Sequence, residues 1–498
     1  MVDALIQGLA LVLQWNAFSL MLVGMALGFM VGMLPGIGGA ATLALMLPFV
    51  FKMSPVEAFA FLLGMHSVAA TTGDITSILF GVPGEGLSAA TVVDGHPMAK
   101  QGEAARALGA ALMSSLVGAI IGAIALAISI PIVRPLVLTF GSPELFMVTL
   151  MGIACITSLS GLDTKTQMKG FAMGFFGLLL ATIGQERQSG ILRFDFGFTY
   201  LWEGLDLIPV LVGIFAIPEI IDLAVRRTAI AGDKPPKLLF AGVWQGIVDT
   251  FRHFWLVLRC SLVGVFVGIL PGAGGGVAQW MAYAHAVQSA KNAADRSRFG
   301  SGDVRGVLGP GAANNSKEGG DLIPTIAFGV PGSGAMAILL GAFLIMGLHP
   351  GPDMLTKHLA VTYSMVWTLV LANIIAVLAC LALLPYLALV TGIRGGLMIP
   401  FLLLLVFVGS YTANRQIADL LVTLGFGAVG FLMVRFGWPR APLVLGFVLG
   451  KLAETYLFIS VARYGYSWVT QPLVLVLMVI TALVIVFPYI QERRRRAH

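Results

Sequence analysis

Charged residues are scarce in this sequence. Asp, Glu, Lys and Arg make up 11% of its 498 residues, whereas hydrophobic residues make up 58%, and the mean hydropathy is +0.93. A soluble globular domain carries about 25% charged residues, so the composition excludes that class. Because ionisable groups are expensive in hydrocarbon, a membrane-spanning protein confines them to loops and functional cavities. The composition therefore predicts an integral membrane protein.

The spacings that mark metal and catalytic sites are also missing. Cys155, Cys260 and Cys380 are isolated in apolar stretches, which supports neither a disulfide framework nor a zinc site and predicts a packing role. Gly-x-Ser-x-Gly and His-Glu-x-x-His do not occur, and Pro271–Gly276 lacks the Gly-Lys-Ser/Thr ending of a phosphate loop. We therefore expect no enzyme, no cofactor and no ATP-driven pump. Three histidines without ligand spacing are interpreted as hydrogen-bonded turn residues: His66, His96 and His349.

Apolar runs of about 20 residues, the length that crosses a bilayer, recur along the chain. About 11–12 membrane segments follow from these runs, so the sequence predicts an all-α polytopic membrane protein. The net charge of +6 is concentrated in short clusters beside apolar runs. This pattern fits the positive-inside rule and not nucleic-acid binding. The linker 226–253 and the run Arg493–Arg496 are therefore predicted to be cytoplasmic.

Three motifs recur in the same order in the two halves of the chain. The separation between copies grows along the sequence, as a duplication followed by loop insertions would leave it. The pairs, at offsets of 236, 248 and 253, are Leu34–Gly39 and Leu270–Gly275, Phe80–Gly86 and Phe328–Gly334, and His96-Pro97 and His349-Pro350.

The duplication and the charge clusters together predict the domain organisation. The segment 471–490 has no counterpart before the linker. If the linker and the C-terminus are both cytoplasmic, the second repeat without this segment begins inside and ends outside. It therefore crosses the membrane an odd number of times, and two such repeats in series are inverted. Inverted repeats with broken or re-entrant helices are a common plan of secondary transporters. The basic cluster 291–305 fits only if Leu270–Gly275 enters and leaves on one side. The predicted units are a first repeat (1–225), a basic cytoplasmic linker (226–253), a second repeat (254–468) and an extra C-terminal helix with a basic tail (469–498).

The repeated glycine–proline motifs predict four breaks in membrane helices. Proline removes a backbone donor and glycine permits positive φ, so each motif should expose N–H groups where the next helix begins. Such N–H groups bind anions. Tight turns or close helix contacts are the alternative, but the occurrence in two pairs favours a binding cavity. The candidate substrate-binding residues in these motifs are Gly36, Gly38, Gly84, Gly86, Gly272, Gly274, Gly332, Ser333 and Gly334.

A polar segment precedes each Gly-Val-Pro-Gly motif. The segments are equivalent because Asp74 and Asp321 are separated by 247 residues, as are Gly64 and Gly311. Their hydroxyl, amide and carboxylate oxygens suit a small cation such as Na⁺ beside an anionic substrate. The candidates are Ser67, Asn314, Ser316 and Lys317 for the substrate, and Thr71, Thr72, Asp74, Asn315 and Asp321 for the coupling ion.

Lys317 has two interpretations that the sequence leaves open. Its ammonium group can pair with a substrate carboxylate, or it can form an internal salt bridge with Glu318 or Asp321. Polar and ionisable residues within membrane segments are usually functional, and both interpretations satisfy that expectation.

These motifs resemble the large membrane subunit of the tripartite tricarboxylate transporter family (the TctA type). The resemblance covers nearly the whole chain and implies a multi-pass permease of the bacterial inner membrane, driven by Na⁺ or H⁺. It implies di- and tricarboxylate substrates such as citrate, a small membrane subunit of about four helices and a periplasmic solute-binding protein. An elevator-like movement would fit the presumed mechanism of this family. The matching segments are Leu34–Gly39, Phe80–Lys100, Leu270–Gly275, Ala313–Asp321 and Phe328–Gly334.

Other functions remain as alternatives. A carrier for another organic anion, such as an aromatic or sugar acid, would keep the same motifs. An anion channel would need a continuous pore lining, whereas this sequence offers paired breaks. An intramembrane enzyme could use Asp74 and Asp321 as a carboxylate pair, but no other catalytic constellation accompanies them. A structural scaffold would leave the polar segments unexplained.

Overall fold

A computed structural model describes residues 1–32, 38–81, 88–158, 164–186, 190–226, 240–271, 274–390 and 399–496. Within these ranges the chain is helical, apart from loops and one two-stranded antiparallel hairpin of β1 (Gly184–Gln185) and β2 (Leu192–Arg193). The predicted all-α fold class is therefore confirmed.

The first half of the chain forms nine helices in its described part. Short 3-10 segments follow α3 and precede α9, and a π-helical turn joins α5 to α6. The helices are α1 Val2–Val12, α2 Trp15–Gly32, α3 Gly39–Met46, α4 Pro55–Phe80, α5 Ala89–Met98, α6 Ala104–Val137, α7 Ser142–Ser158, α8 Thr164–Ala181 and α9 Leu207–Arg226.

The second half begins within the predicted linker, which contains α10. Its helices are α10 Phe240–Arg252, α11 Phe254–Ile269, α12 Gly274–Gln288, α13 Ala293–Arg296, α14 Arg305–Phe328, α15 Gly334–Ile345, α16 Leu359–Val390, α17 Ile399–Asn414, α18 Ile417–Arg435, α19 Arg440–Tyr464 and α20 Pro472–Arg496.

The helix order is what a duplication would leave. Over the described residues, α1–α9 correspond in order to α10–α12 and α14–α19. The short α13 lies in the inserted polar stretch, and α20 follows the second repeat. The domain boundaries themselves stay predictions.

Six helices of the described chain are long and apolar enough to cross a membrane, or seven if α10 and α11, bent by 77°, form one span. Six shorter apolar helices accompany them. The central helices α4 and α14 are not among the six, because polar residues in their middle lower their hydropathy. The multi-pass architecture is thus supported, and the number of 11–12 membrane segments stays a prediction.

Local sequence signals fix both ends of α4. The Ser54 side chain accepts from the Glu57 backbone N–H, and the Glu57 carboxylate accepts from the Ser54 N–H, which completes a capping box. The helix ends at Gly81, which adopts φ +67°, a left-handed conformation suited to glycine. Gly329 ends α14 in the same way, with φ +67°. The two equivalent polar helices therefore stop at equivalent residues.

The helix break predicted at the second Gly-Val-Pro-Gly motif is present. Helix α14 ends at Phe328, and α15 begins at Gly334 with the Ser333 hydroxyl accepting from the Met336 N–H. At the first motif α4 ends at Phe80, and residues 82–87 lie outside the described part of the chain.

Helices α4 and α14 are the buried centre of the protein. Every residue of 58–79 in α4 and of 306–327 in α14 is buried. Each helix packs on helices of its own half and of the other half. Helix α4 contacts α2 and α16, and α14 contacts α11 and α6. The two halves are therefore interlocked around their polar helices.

Small residues four positions apart let these neighbours approach closely. A Cβ added to Gly28 or Gly32 would overlap the α4 backbone or the Thr72 side chain, and one added to Gly118 or Gly122 would overlap the α14 backbone. Such spacing is typical of tightly packed membrane helices. The four small pairs are Gly28 and Gly32 of α2, Gly118 and Gly122 of α6, Gly264 and Gly268 of α11, and Ala372 and Ala376 of α16.

Helices α11 and α12 form an antiparallel pair. The Cys260 thiol lies 3.6 Å from the carbonyl oxygen of Ala282, so the chain turns near residue 271 and returns to the end from which it came. At that end, Gln101 donates to the Ser301 carbonyl (2.7 Å). The basic cluster 291–305 therefore lies at the same end as the start of α11, as its predicted cytoplasmic location requires.

Candidate substrate and ion site

Helices α4 and α14 meet through hydrogen bonds between their polar segments. The Ser67 hydroxyl donates to Glu318 Oε2 (2.7 Å), and the Asn315 amide donates to the Thr71 hydroxyl (2.7 Å). The contact position advances along α4 as it retreats along α14. The two equivalent helices thus run in opposite directions where they cross, and we call this contact the crossing.

Asp74 extends the crossing in the same register. Its Oδ1 accepts from the Thr91 hydroxyl (2.9 Å), and its Oδ2 lies 3.4 Å from the Asn314 amide nitrogen. The same amide donates to the Ala70 carbonyl (3.0 Å). Thr91 belongs to α5, which follows the first Gly-Val-Pro-Gly motif. This carboxylate therefore joins α4, α5 and α14, with oxygen-bearing groups around it.

Asp321 occupies the matching place in the second half. Lys317 Nζ lies 3.7 Å from Asp321 Oδ2, so the internal salt bridge is the arrangement this structure adopts for Lys317. A Cβ added to Gly332 would lie 2.8 Å from the Asp321 Cα, and one added to Gly268 would lie 3.0 Å from Oδ1. The end of α11 and the break before α15 therefore converge on this carboxylate.

The crossing is closed to solvent. Asp74, Lys317, Glu318 and Asp321 each expose at most 1% of their surface, and His66 exposes 2%. Burying a charge without compensation is costly, and polar groups at this depth usually serve function, although a buried polar network can also fix helix register. Closure means that a transported solute would have to enter by a change of conformation.

Several predicted site residues lie at helix interfaces and not in the crossing. Thr72 donates to the Val68 carbonyl (2.9 Å) and faces Gly32. Ser316 packs against Gly264 of α11. Both residues contribute to close helix packing in this structure.

The structure describes only some of the glycines that the sequence predicts to bind substrate. Gly38 precedes α3, and a Cβ built there would meet nothing within 4 Å. Gly274 and Gly334 are the first residues of α12 and α15. Gly332 has no positive φ, so close approach to Asp321 is what requires glycine there. Outside the described residues lie Gly36, Gly84, Gly86 and Gly272.

Asn373 of α16 is a member of the crossing that sequence reasoning missed. Its amide oxygen accepts from Asn315, and its amide nitrogen donates to the Leu369 carbonyl (2.8 Å). No repeated motif marked it, since Asn373 sits alone in an apolar helix.

The interpretation of His66 as a turn residue is wrong. His66 lies in the middle of α4, and its Nε2 is 3.8 Å from Glu318 Oε1. Glu318, predicted only as a partner for Lys317, bonds to the other half through Ser67. The side-by-side arrangement of Lys317 and Glu318 on one helix was the available signal, because adjacent residues point to different neighbours.

Asp94 has a structural role that the sequence did not reveal. Its Oδ1 accepts from the backbone N–H groups of Gly300 (2.8 Å), Gly302 (2.9 Å) and Asp303 (3.0 Å). Its Oδ2 accepts from the Tyr283 hydroxyl (3.0 Å). This carboxylate ties α5 of the first half to the loop that precedes α14.

A cavity of about 790 Å³ lies apart from the crossing. It is bounded by Leu344 and Ile345 at the end of α15, by Lys451 and Thr455 of α19, and by the loop around Asp206. Helix α15 begins beside Asp321 and ends at this cavity, so one short helix connects the two regions.

Comparison with known proteins identifies the family. Residues 18–445 match the Tripartite tricarboxylate transporter TctA family. An uncharacterized 52.8 kDa protein in the TAR-I ttuC' 3' region of Agrobacterium vitis is 33% identical over 436 residues, covering 87% of this chain and 85% of the relative. A protein in the TAR-II ttuC' 3' region of the same organism is 32% identical over 194 residues, covering 39% of this chain and 79% of the relative. No solved structure matches the chain. The protein therefore belongs to the TctA family, the large membrane subunits of tripartite tricarboxylate transporters, as its motifs predicted.

Proposed function

We propose that this chain is the permease subunit of a secondary transporter that imports di- and tricarboxylates, citrate-like in chemistry, with Na⁺ or H⁺. The observation that carries the proposal is the crossing. There, two equivalent helices run in opposite directions and bring buried ionisable side chains from both halves together. Its partners would be a small four-helix membrane subunit and a periplasmic solute-binding protein, in the bacterial inner membrane.

The geometry around Asp321 supports carboxylate binding. Lys317 is buried and pairs with Asp321 at 3.7 Å, without the short contact of a strong ion pair. A substrate carboxylate could compete for that ammonium group. The break at residues 329–333 ends beside Asp321, where backbone N–H groups at the start of α15 could bind a second carboxylate. A substrate with two or three carboxylates would use both.

The coupling ion would bind among the oxygens near Asp74. Thr71 donates to the Ser67 carbonyl (2.9 Å) and accepts from Asn315, so its position is fixed. Hard cations prefer such carboxylate, hydroxyl and carbonyl oxygens. Asp321, with Lys317 released to the substrate, would supply the equivalent carboxylate in the second half.

Alternating access follows from the interlocked halves. The equivalent helices α4 and α14 run in opposite directions where they cross, which supports inverted repeats. Because the crossing is closed, α4 and α14 would have to move against neighbouring helices to expose it, and an elevator-like movement is one way to do so.

The experiment is uptake of radiolabelled carboxylates into proteoliposomes that contain this chain and the small membrane subunit. It is run with and without the solute-binding protein, and with an inward Na⁺ gradient, an inward proton gradient or neither. We expect citrate-like uptake that requires both the binding protein and one ion gradient.

Other outcomes separate the alternatives. Uptake of aromatic or sugar acids in place of citrate would keep the carrier and replace its substrate. Unitary currents in planar bilayers would indicate an anion channel. If no organic anion enters under any condition while the protein is folded and inserted, the proposal is wrong.

A further inference from the structure

The two polar segments are not symmetric in charge. The duplication preserves one carboxylate in each half, Asp74 and Asp321. Three other ionisable groups have no ionisable counterpart. We therefore infer that their function is one that the protein requires in only one of its two halves. At the offset of 247, the counterparts of His66, Lys317 and Glu318 are Ala313, Ala70 and Thr71.

Two of these unmatched groups face each other across the crossing. Glu318 Oε2 accepts from Ser67 at 2.7 Å, and Oε1 lies 3.8 Å from His66 Nε2. Lys317, although adjacent in sequence, is directed to Asp321. Glu318 on one half and His66 on the other thus form a pair distinct from the Lys317–Asp321 salt bridge.

Other ionisable groups lie close to this pair, and Lys317 is near enough to His66 to act on it electrostatically. The ionisable groups near it are Asp74 on α4 and Lys317 and Asp321 on α14. The close-packed stretches of four neighbouring helices contain no ionisable residue: 28–32 of α2, 118–122 of α6, 264–268 of α11 and 372–376 of α16. Helices α5 and α12 also pack on the polar helices. They carry Asp94, which is bonded to the loop before α14, and His285.

A proton suits this pair better than a metal cation. A carboxylate buried at this depth is neutralised most simply by binding a proton. Na⁺ would need several oxygen ligands, whereas Glu318 faces a hydroxyl that already donates to it and an imidazole ring.

We propose that Glu318, held by Ser67 and facing His66, binds and releases the coupling proton. A proton from the outer side converts the carboxylate to the carboxylic acid when substrate binds, and the same proton leaves on the inner side. This rests on the proposed function, narrows its coupling ion to H⁺ and moves the site of that ion from the oxygens near Asp74 to Glu318.

The test compares wild type with Glu318→Gln, which mimics the protonated carboxyl. Proteoliposomes contain the small membrane subunit and receive the binding protein outside. Two fluxes are measured: exchange of labelled for unlabelled substrate at equilibrium, and net uptake driven by an inward proton gradient, with a trapped pH dye reporting proton entry. We expect net uptake and proton entry to fall at least about tenfold in Glu318→Gln, while exchange persists.

A matched control is Glu57→Gln on α4, since glutamine also fits a capping box; it should resemble wild type in both fluxes. Ser67→Ala provides a second test if Glu318→Gln fails to fold. Removing the hydrogen bond that favours the charged carboxylate should move the pH of half-maximal uptake to a higher value.

Several results would overturn the inference. One is that Glu318→Gln accumulates substrate in a proton gradient as well as wild type does. Another is that this variant loses both exchange and accumulation. The third is that Ser67→Ala leaves the pH profile of uptake unchanged. Wild-type uptake driven by Na⁺ without proton entry would refute this inference and leave the proposed function intact. Absence of any carboxylate uptake by wild type would refute the proposed function instead.

Discussion

At the scale of single residues, the Lys317–Asp321 pair shows how a buried charge is kept in a membrane protein. Both side chains expose 1% or less of their surface. Removing one partner of such a pair leaves an uncompensated buried charge and costs about 3–5 kcal/mol, whereas removing both charges is often nearly neutral. We therefore expect Lys317→Met to destabilise the protein more than Lys317→Met combined with Asp321→Asn.

The measurement is the melting temperature of each variant in detergent, followed by fluorescence-detected size exclusion. The double variant should recover most of the loss, but it should not transport, because the ammonium group proposed to bind substrate is gone. If Lys317→Met melts like wild type, the pair contributes nothing to stability. Full uptake by the double variant would remove Lys317 from the substrate site.

Arg305 provides a pH-dependent stabilisation at the end of the molecule that carries the basic cluster. Its guanidinium bonds to Asp295 (2.6 Å) and Asp303 (2.8 Å). Hydrogen bonds from Arg305 and the Lys291 N–H lower the pKa of Asp295. Burial alone would raise the pKa of Asp303, but the bonds from Arg305 outweigh it and hold the pKa below its ordinary value.

Because both pKa values are lower in the folded protein, the stabilisation is complete above the ordinary Asp pKa of about 3.9 and is lost as the pH falls below it. Arg305→Gln should therefore lower the melting temperature clearly at neutral pH, and the gap to wild type should shrink toward about pH 3. Lys357→Gln, in the exposed pair with Asp353, is the control and should change little at either pH. A gap that stays constant with pH would contradict this account.

Residue identity alone could predict only part of the site. The offset of 247 indicated that Asp74 and Asp321 are equivalent. The structure places Asp74 at the crossing and Asp321 beside the end of α11 and the break before α15. The partner of Glu318 could not be predicted, because a hydrogen bond between helices depends on their crossing direction. The role of Asp94 could not be predicted either, because its three backbone donors lie more than 200 residues away in the sequence.

At the scale of elements, close packing of glycine pairs holds α6 against α14. A Cβ on Gly122 would lie 2.5 Å from the Ser316 carbonyl oxygen. Neither backbone can retreat easily, so Gly122→Ala should destabilise by about 1–3 kcal/mol, the usual cost of overpacking. Gly425→Ala in α18 is the matched control, because nothing lies within 4 Å of that position.

Gly425→Ala should be neutral or slightly stabilising, since alanine favours helix by about 1 kcal/mol over glycine. The melting temperatures of the two variants, measured together, test whether close packing at Gly122 stabilises the protein. Equal effects would mean that α6 and α14 can separate without cost. In that case the glycine pair would not be the contact that fixes α14.

The ends of the helices were more predictable from the sequence than the helices they pack against. The capping box at Ser54 and the stop at Gly329 depend on local chemistry, and both are where the sequence placed them. The swapped packing of α6 on α14 and of α16 on α4 is a long-range property, and no local pattern specifies it. Helix α10 within the predicted linker was missed because its single apolar face is shorter than a membrane span.

At the scale of the whole molecule, the interlocked halves bring the two polar segments of this protein together. Each polar helix is packed against helices from both halves. The carboxylates at the crossing therefore cannot separate unless helices from both halves rearrange. Substrate binding at Lys317 and proton binding at Glu318 would bias the same rearrangement, which is what coupling requires.

The proposed inverted topology gives the last prediction. Helix α9 is long enough to cross the membrane and separates the hairpin loop from the basic linker. Likewise, α20 separates Tyr466 from the terminal arginines. If the linker and C-terminus are cytoplasmic, Phe196 and Tyr466, which are 72% and 86% exposed, face the periplasm, whereas Arg298 in the basic cluster faces the cytoplasm.

Single cysteines at these positions, in a background without Cys155, Cys260 and Cys380, test the arrangement in intact cells. A membrane-impermeant maleimide should label Phe196→Cys and Tyr466→Cys, and it should label Arg298→Cys only after the membrane is opened. Labelling of Arg298→Cys from outside would place the basic cluster in the periplasm and break the hairpin geometry of α11 and α12. Protection of both other positions would reverse the orientation of the whole protein, and the binding protein would then have to dock at the opposite end.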